Sequence, residues 1–158
     1  MNLEAQIIEA EDLNLDTYQV ESLQEFGLEG QVISLRNGGE PRGTASLLAS
    51  NYELSGTYDL EISYFDESDG EAQIEVLQNG NVIQSIFLIE NTVGNIPTED
   101  NRRTIAIEDL DIASTDNITI RGIADNSTGG EWARVDYLSF IPNFQALENI
   151  LSSEEPLG

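Results

Sequence analysis

Three acids stand at two places in this chain where strand geometry could bring their carboxylates together. Glu9 and Glu11 lie two apart in Ile8-Glu9-Ala10-Glu11-Asp12. In an extended strand, residues two apart face the same side, so the pair aims at one point. Asp136 opens an alternation of Asp136, Leu138 and Phe140 within Ala133-Arg134-Val135-Asp136-Tyr137-Leu138-Ser139-Phe140. Its apolar members predict a core face, and an acid in line with a core face is costly unless paired, neutralised or bound to a cation. If the first and last strands are neighbours, three carboxylates converge, and hard oxygen donors in that number suit Ca2+. The alternative is that Glu9 and Glu11 line a solvated face.

Other charged groups fall in turns. Asp66, Glu67 and Asp69 precede Gly70 in a compact acidic turn, and Asp125 with Glu131 offers a second pair. Asp66, Asp69, Asp125 and Glu131 are therefore candidates for a second cation position, set against a merely solvated hairpin turn. Their spacing lacks the twelve-residue EF-hand pattern. The cations are scarce: of 158 residues, 30 are Asp or Glu and 6 are basic. All six are Arg. Arg36 and Arg42 bracket the glycine-rich Asn37-Gly38-Gly39-Glu40-Pro41, and Arg102 and Arg103 end the loop that starts at Asn91. The plain alternative for each is pairing with a neighbouring acid.

The elements that must position these groups are strands. Gly56 to Phe65 alternates, with Tyr58, Leu60, Ile62 and Tyr64 on one face and Asp59, Glu61 and Ser63 opposite. The runs 71–77 and 82–88 flank Asn79-Gly80, a pair that predicts a type I′ hairpin because both central residues need positive φ. Further strands are predicted over 6–10, 18–23, 31–35, 44–49, 104–107, 117–123 and 132–141. Many short strands separated by turn residues predict an all-β fold, a two-sheet antiparallel sandwich. After Pro142, Phe144, Leu147 and Leu151 recur at helical spacing before Ser152-Ser153-Glu154-Glu155-Pro156, which predicts a short amphipathic turn or linker. The expected division is residues 1–141 as one module and 142–158 as a tail.

Composition narrows the function. The formal charge of −24 argues against nucleic acid and anionic membrane surfaces and favours solubility and divalent cations. With no His and no Cys, the common nucleophilic triads and most transition-metal sites are excluded. Two acids suffice for glycoside hydrolysis, yet nothing marks one pair among so many, so no enzymatic activity is expected. Residues 1–20 carry five acids and no basic stretch, unlike a secretory leader. An extracellular or cell-surface protein would therefore hold this chain as an excised piece of something larger. No apolar run approaches a membrane span.

Taken in order, the Glu9-Ala10-Glu11-Asp12 opening, Thr44-Ala45-Ser46, Gly56-Thr57-Tyr58-Asp59-Leu60-Glu61-Ile62-Ser63-Tyr64, Asn79-Gly80 and Arg134-Val135-Asp136-Tyr137-Leu138-Ser139-Phe140 resemble the carbohydrate-binding modules of families 6, 35 and 36. The resemblance spans roughly residues 7–141, and the order of the motifs carries it. It implies a β-jelly-roll with a structural calcium held by Glu9, Glu11 and Asp136, and a backbone carbonyl from residues 27–31 as a fourth ligand. It also implies a sugar site in the loops at one end, among them those around Arg36 and Arg42, Arg102 and Arg103, and Asn126 and Trp132. An indole stacks on the C–H face of a pyranose while Arg and Asn hydrogen-bond hydroxyls or a carboxylate. Family 6 modules sandwich the sugar between two rings, whereas the 36–43 and 91–103 loops here hold no aromatic residue. That departure shifts the expected partner from a neutral polysaccharide toward an acidic polysaccharide or oligosaccharide gripped by arginine, or toward calcium-bridged binding. A non-catalytic module of this kind would target an attached enzyme to its polymer. The competing readings are a calcium-stabilised structural or adhesion module of a larger surface or secreted protein, and a protein-docking domain.

Overall fold

The computed structural model describes residues 4–68, 70–90, 94–125 and 131–143. Eleven strands form two antiparallel sheets. They are β1 (Gln6–Glu9), β2 (Asn14–Asp16), β3 (Gln19–Ser22), β4 (Gln31–Ser34), β5 (Arg42–Leu48), β6 (Gly56–Phe65), β7 (Gln73–Gln78), β8 (Asn81–Phe87), β9 (Arg102–Ile112), β10 (Asn117–Ile123) and β11 (Val135–Pro142). One sheet runs β3-β4-β11-β6-β9, with β1 also pairing β11, and the other runs β2-β5-β10-β7-β8. This is the sandwich predicted from the alternation. Among the described residues no helix is long and apolar enough to cross a membrane.

The inward alternation builds the core. Tyr58, Leu60, Ile62 and Tyr64 of β6 are buried, and the Tyr58 ring meets Phe140 of β11 edge-on, with centroids 6.2 Å apart. Facing residues come from the second sheet: Ala45, Leu47, Ile74, Val76, Ile118 and Ile120 join the same cluster. The β7–β8 hairpin turns through Asn79 and Gly80 with φ of 51° and 84°, as a type I′ turn requires. A smaller cluster of Leu23, Val32 and Phe65 lies apart from the main core, covered by Phe26 and Leu28.

Three expectations are corrected. β2, only three residues long, carries no readable alternation and was not anticipated. β9 begins at Arg102 rather than two residues later and runs to Ile112, so both arginines are strand residues. The third correction concerns Asp136. Val135 and Leu138 both lie in the core cluster although they are three apart, because the register of β11 against β6 shifts between Val135 and Tyr137. A bulge changes the parity of a strand, and Asp136 is thereby removed from the line of the core face. The amphipathic turn expected over Phe144, Leu147 and Leu151 lies outside the described residues.

Register places the chemistry at one end. Val135 pairs with Ile33 and Tyr64, and Ile123 pairs with Arg42 and Gln73. The connections after β4, β6, β8 and β10 therefore meet there. They are stitched by Ala124 N–H to the Pro41 carbonyl at 2.7 Å, Leu35 N–H to the Trp132 carbonyl at 2.9 Å and Asp66 N–H to the Asn101 carbonyl at 2.9 Å.

Candidate functional site

β1 lies along β11 with Glu9 opposite Tyr137, so the first and last strands are neighbours as expected. Glu9 and Glu11 converge for a different reason from strand parity. The strand stops at Glu9, and Ala10–Asp12 turn as a 3-10 helix packed near the start of β11. That turn brings Asp12 to the same neighbourhood. Burial, then the charges of Asp136 and Asp12, push the Glu9 carboxyl above its ordinary range. Glu11 is also raised, by burial first and then by Glu9, Asp12 and Asp136, with its own backbone N–H opposing. Oε2 of Glu11 is buried without a hydrogen-bond partner. An orphaned carboxylate oxygen among mutually repelling acids fits an oxygen-seeking cation.

The third acid is otherwise engaged. Arg102 donates from Nη1 to Oδ2 of Asp136, and from Nε and Nη2 to the two oxygens of Glu99, each at 3.0 Å. Its guanidinium also lies 4.7 Å from the centroid of the Phe65 ring. Among the described residues, no group of three or more Asp, Glu, His or Cys is gathered so as to hold a metal ion as it stands. Of the stretch 27–31, Gly30 has its carbonyl occupied by Leu23 N–H at 3.0 Å.

The remaining arginines divide. Arg36 reaches Glu21 at 3.2 Å and Glu25 at 3.0 Å, and Arg103 reaches Glu90 at 2.5 Å. Arg42 forms no ion pair among the described residues and sits beside Arg121 and Asp16 in a small surface cleft. Trp132 and Arg36 share one cleft: with Leu35, Gly39, Glu40 and Pro41 they line a space of about 230 Å³. Arg102 and Arg103 do not line it. The loop carrying Trp132 is held by the Leu35 bond and by the buried Tyr18, whose hydroxyl donates to the Ala133 carbonyl at 2.7 Å. Gly122 is required there, since a Cβ on it would meet the Tyr18 hydroxyl at 2.0 Å. Asn126 lies outside the described residues.

The acidic turn is built inward. Asp66, Glu67 and Glu131 are buried, and Asp125 forms a bridge with Glu131. Glu131 accepts weakly from Glu67 N–H at 3.3 Å and Ala72 N–H at 3.5 Å, and Asp125 accepts from Glu71 N–H at 2.8 Å. Burial foremost, then the charges of Asp66 and Glu67, push Glu131 up to about 9, the backbone donors opposing. Burial likewise raises Asp66, whose Oδ1 has no hydrogen-bond partner. Asp69 lies outside the described residues.

A buried network went unread in the sequence. Arg134, 3% exposed, donates to Glu21 at 2.6 Å and to Glu67 at 2.6 Å. Burial would raise Glu21, yet Arg134, Arg36 and Ser34 together hold it below the usual carboxylate range. An arginine beside a core valine signals a required partner, but Glu21 lies 113 positions away.

No family model matches the chain. Two curated Aspergillus proteins, from A. oryzae and A. flavus, each named probable alpha-glucuronidase A, are 29% identical over 143 residues. The match takes in 85% of this chain and 16% of each relative, so the chain spans about one sixth of their length. Among solved structures, a family 35 carbohydrate-binding module from Clostridium thermocellum superposes with a TM-score of 0.59 at 20% identity, covering 89% of this chain and 99% of that one. A Podospora anserina mannanase carrying a family 35 module gives 0.58 at 22% identity, over 90% of this chain and 28% of that one. A family 6 module from Clostridium stercorarium in complex with cellobiose gives 0.55 at 16% identity, over 87% and 94%. The fold is that of these carbohydrate-binding modules.

Proposed function

We propose that this chain is a non-catalytic carbohydrate-binding module, calcium-bound through Glu9, Glu11 and Asp136, that holds an attached enzyme on a polysaccharide outside the cell. The observation that carries the sugar site is the cleft lined by both Trp132 and Arg36, with the Trp132 loop anchored by Tyr18 and Leu35. An indole beside a guanidinium suits a pyranose bearing a carboxylate. Arg42, unpaired among the described residues, stands at the other end of the same glycine-rich loop. The partial likeness to proteins named alpha-glucuronidase supports an acidic glycan and a larger host protein. The benefit to the host is effective concentration at the polymer.

Calcium would take the orphaned Glu11 oxygen together with Glu9 and Asp136 and supply charge neutralisation between the first and last strands. Asp66, Asp125 and Glu131 are the ligands for a second cation. A screen of neutral and uronic-acid polysaccharides, in calcium and again with chelator, tests the assignment. Binding confined to acidic glycans and lost in Trp132→Ala supports it. If that variant keeps full affinity, the site lies elsewhere, and the cleft of about 560 Å³ lined by Asn14, Ser46, Leu48, Tyr52 and Asn117 is the next place to test.

One observation favours the second reading, a calcium-stabilised structural or adhesion module. Arg36, Arg102 and Arg103 are already paired with carboxylates and would have to exchange partners to hold a ligand. No binding by a folded, calcium-saturated sample would decide for it.

A further inference from the structure

Arg102 does two jobs at once. One arm lies on Asp136, an expected calcium ligand whose side chain is 14% exposed, while the other edge is bidentate on Glu99, which is 65% exposed. The Glu99 perch is preformed. Asn101, fully buried, accepts from Thr98 N–H at 3.0 Å and donates to the Ile96 carbonyl at 2.8 Å, fixing the turn that carries Glu99. The same residue's carbonyl receives Asp66 N–H and ties that turn to the end of β6. The guanidinium face is held by Phe65. Thus Arg102 can lose Asp136 and remain placed by Glu99 and the ring.

We propose that Arg102 is a built-in counter-cation of the acidic site: it neutralises Asp136 when no metal is present and must yield Asp136 to a divalent cation, so that it sets the affinity of the site. The inference rests on the calcium reading given above. A guanidinium and a divalent ion compete for the same carboxylate oxygens, and an ion pair already made must be given up before the metal gains that ligand. Glu99 offsets part of that loss by keeping the charge of Arg102 compensated after the exchange. Arg102 is a positioning residue here and touches no ligand.

The test is calcium titration by calorimetry on the folded chain, with wild type, Arg102→Gln, Arg103→Gln and Glu99→Gln. Arg102→Gln should bind Ca2+ about tenfold tighter, the low end of what a neighbouring opposite charge does to proton affinity at a carboxylate. Arg103→Gln removes the same charge one residue away, where the partner is Glu90, and should change the affinity by less than about threefold. Glu99→Gln, which leaves Arg102 to Asp136 alone, should bind more weakly than wild type. An unchanged or weaker Arg102→Gln, or an equal gain in Arg103→Gln, overturns the proposal. Should Arg102→Gln fail to fold, Glu99→Gln decides: weaker binding supports the proposal, unchanged or tighter binding overturns it. If calcium binds neither wild type nor Arg102→Gln, the calcium reading itself fails.

Discussion

The two acidic clusters at the loop end meet the cost of gathered carboxylates in opposite ways. Around Glu131 the acids are buried apart from Asp125, and backbone N–H groups of residues 67, 71 and 72 point at them. One carboxyl keeps its proton, with Glu131 pushed up to about 9 by burial first. Around Glu9 and Glu11 the acids are partly exposed, and the relief comes from a guanidinium on the third acid while one oxygen of Glu11 finds nothing. The first arrangement is relieved by that proton and those N–H groups, although Oδ1 of Asp66 has no hydrogen-bond partner. The second is relieved by a fixed guanidinium instead, and it is the one proposed above to take calcium.

The sharpest way to break this contrast is Arg134→Ala. It strips Glu21 and Glu67 of a buried partner, and removing one member of such a pair costs about 3–5 kcal/mol. The loss in a urea melt should be the same with and without calcium, because the network lies outside the Glu9 site. A calcium-dependent loss would merge the two regions. Calcium itself should come next. At a hundredfold excess over Kd, an ion bound only to the folded state adds about 2.7 kcal/mol. The melting temperature should rise by several degrees, and Asp136→Ala should abolish the rise. Equal melting in calcium and chelator would sink the site.

A pH titration in chelator gives the third and smaller effect. Glu131 is raised in the folded state from 4.5 to about 9, so the folded chain holds a proton that the unfolded chain has released. Its contribution is full below the ordinary carboxylate range and is lost as pH rises toward 9. Stability should therefore decline between about pH 5 and 9, and Glu131→Gln should flatten that decline. Glu21, held low by Arg134, has the opposite sign and is lost only on acidification. The smallest expected stability effect is that of Trp132→Ala, a partly exposed loop residue: within about 1 kcal/mol, with the loss appearing in sugar binding instead.

Local rules carried much of the fold. The ten-residue alternation of β6 and the Asn79-Gly80 hairpin lie within one segment each, and both were readable because their geometry is decided by neighbours in the chain. β2 was missed because three residues cannot show a period. Asp136 was misplaced for a different reason: the bulge beside it depends on how β11 meets β6, which no local pattern records. The same limit applies to the site. Acid types and strand order pointed to Glu9, Glu11 and Asp136, while Arg102 on Asp136 and Arg134 on Glu21 are partnerships across 34 and 113 positions. Five of the six arginines pair with carboxylates among the described residues, but which ones they meet is decided by packing.

The antiparallel pairing of β1 with β11 has a mechanical side. Gln6 lies opposite Phe140, so the chain enters β1 and leaves β11 at the same end, away from the loops. A pull applied through both strands there would not shear four pairs together but would unzip them singly, from Gln6 toward Glu9. Such a seam yields at low force. Glu9 and its acidic neighbours stand at the last rung, so whatever neutralises them determines where the tear stops.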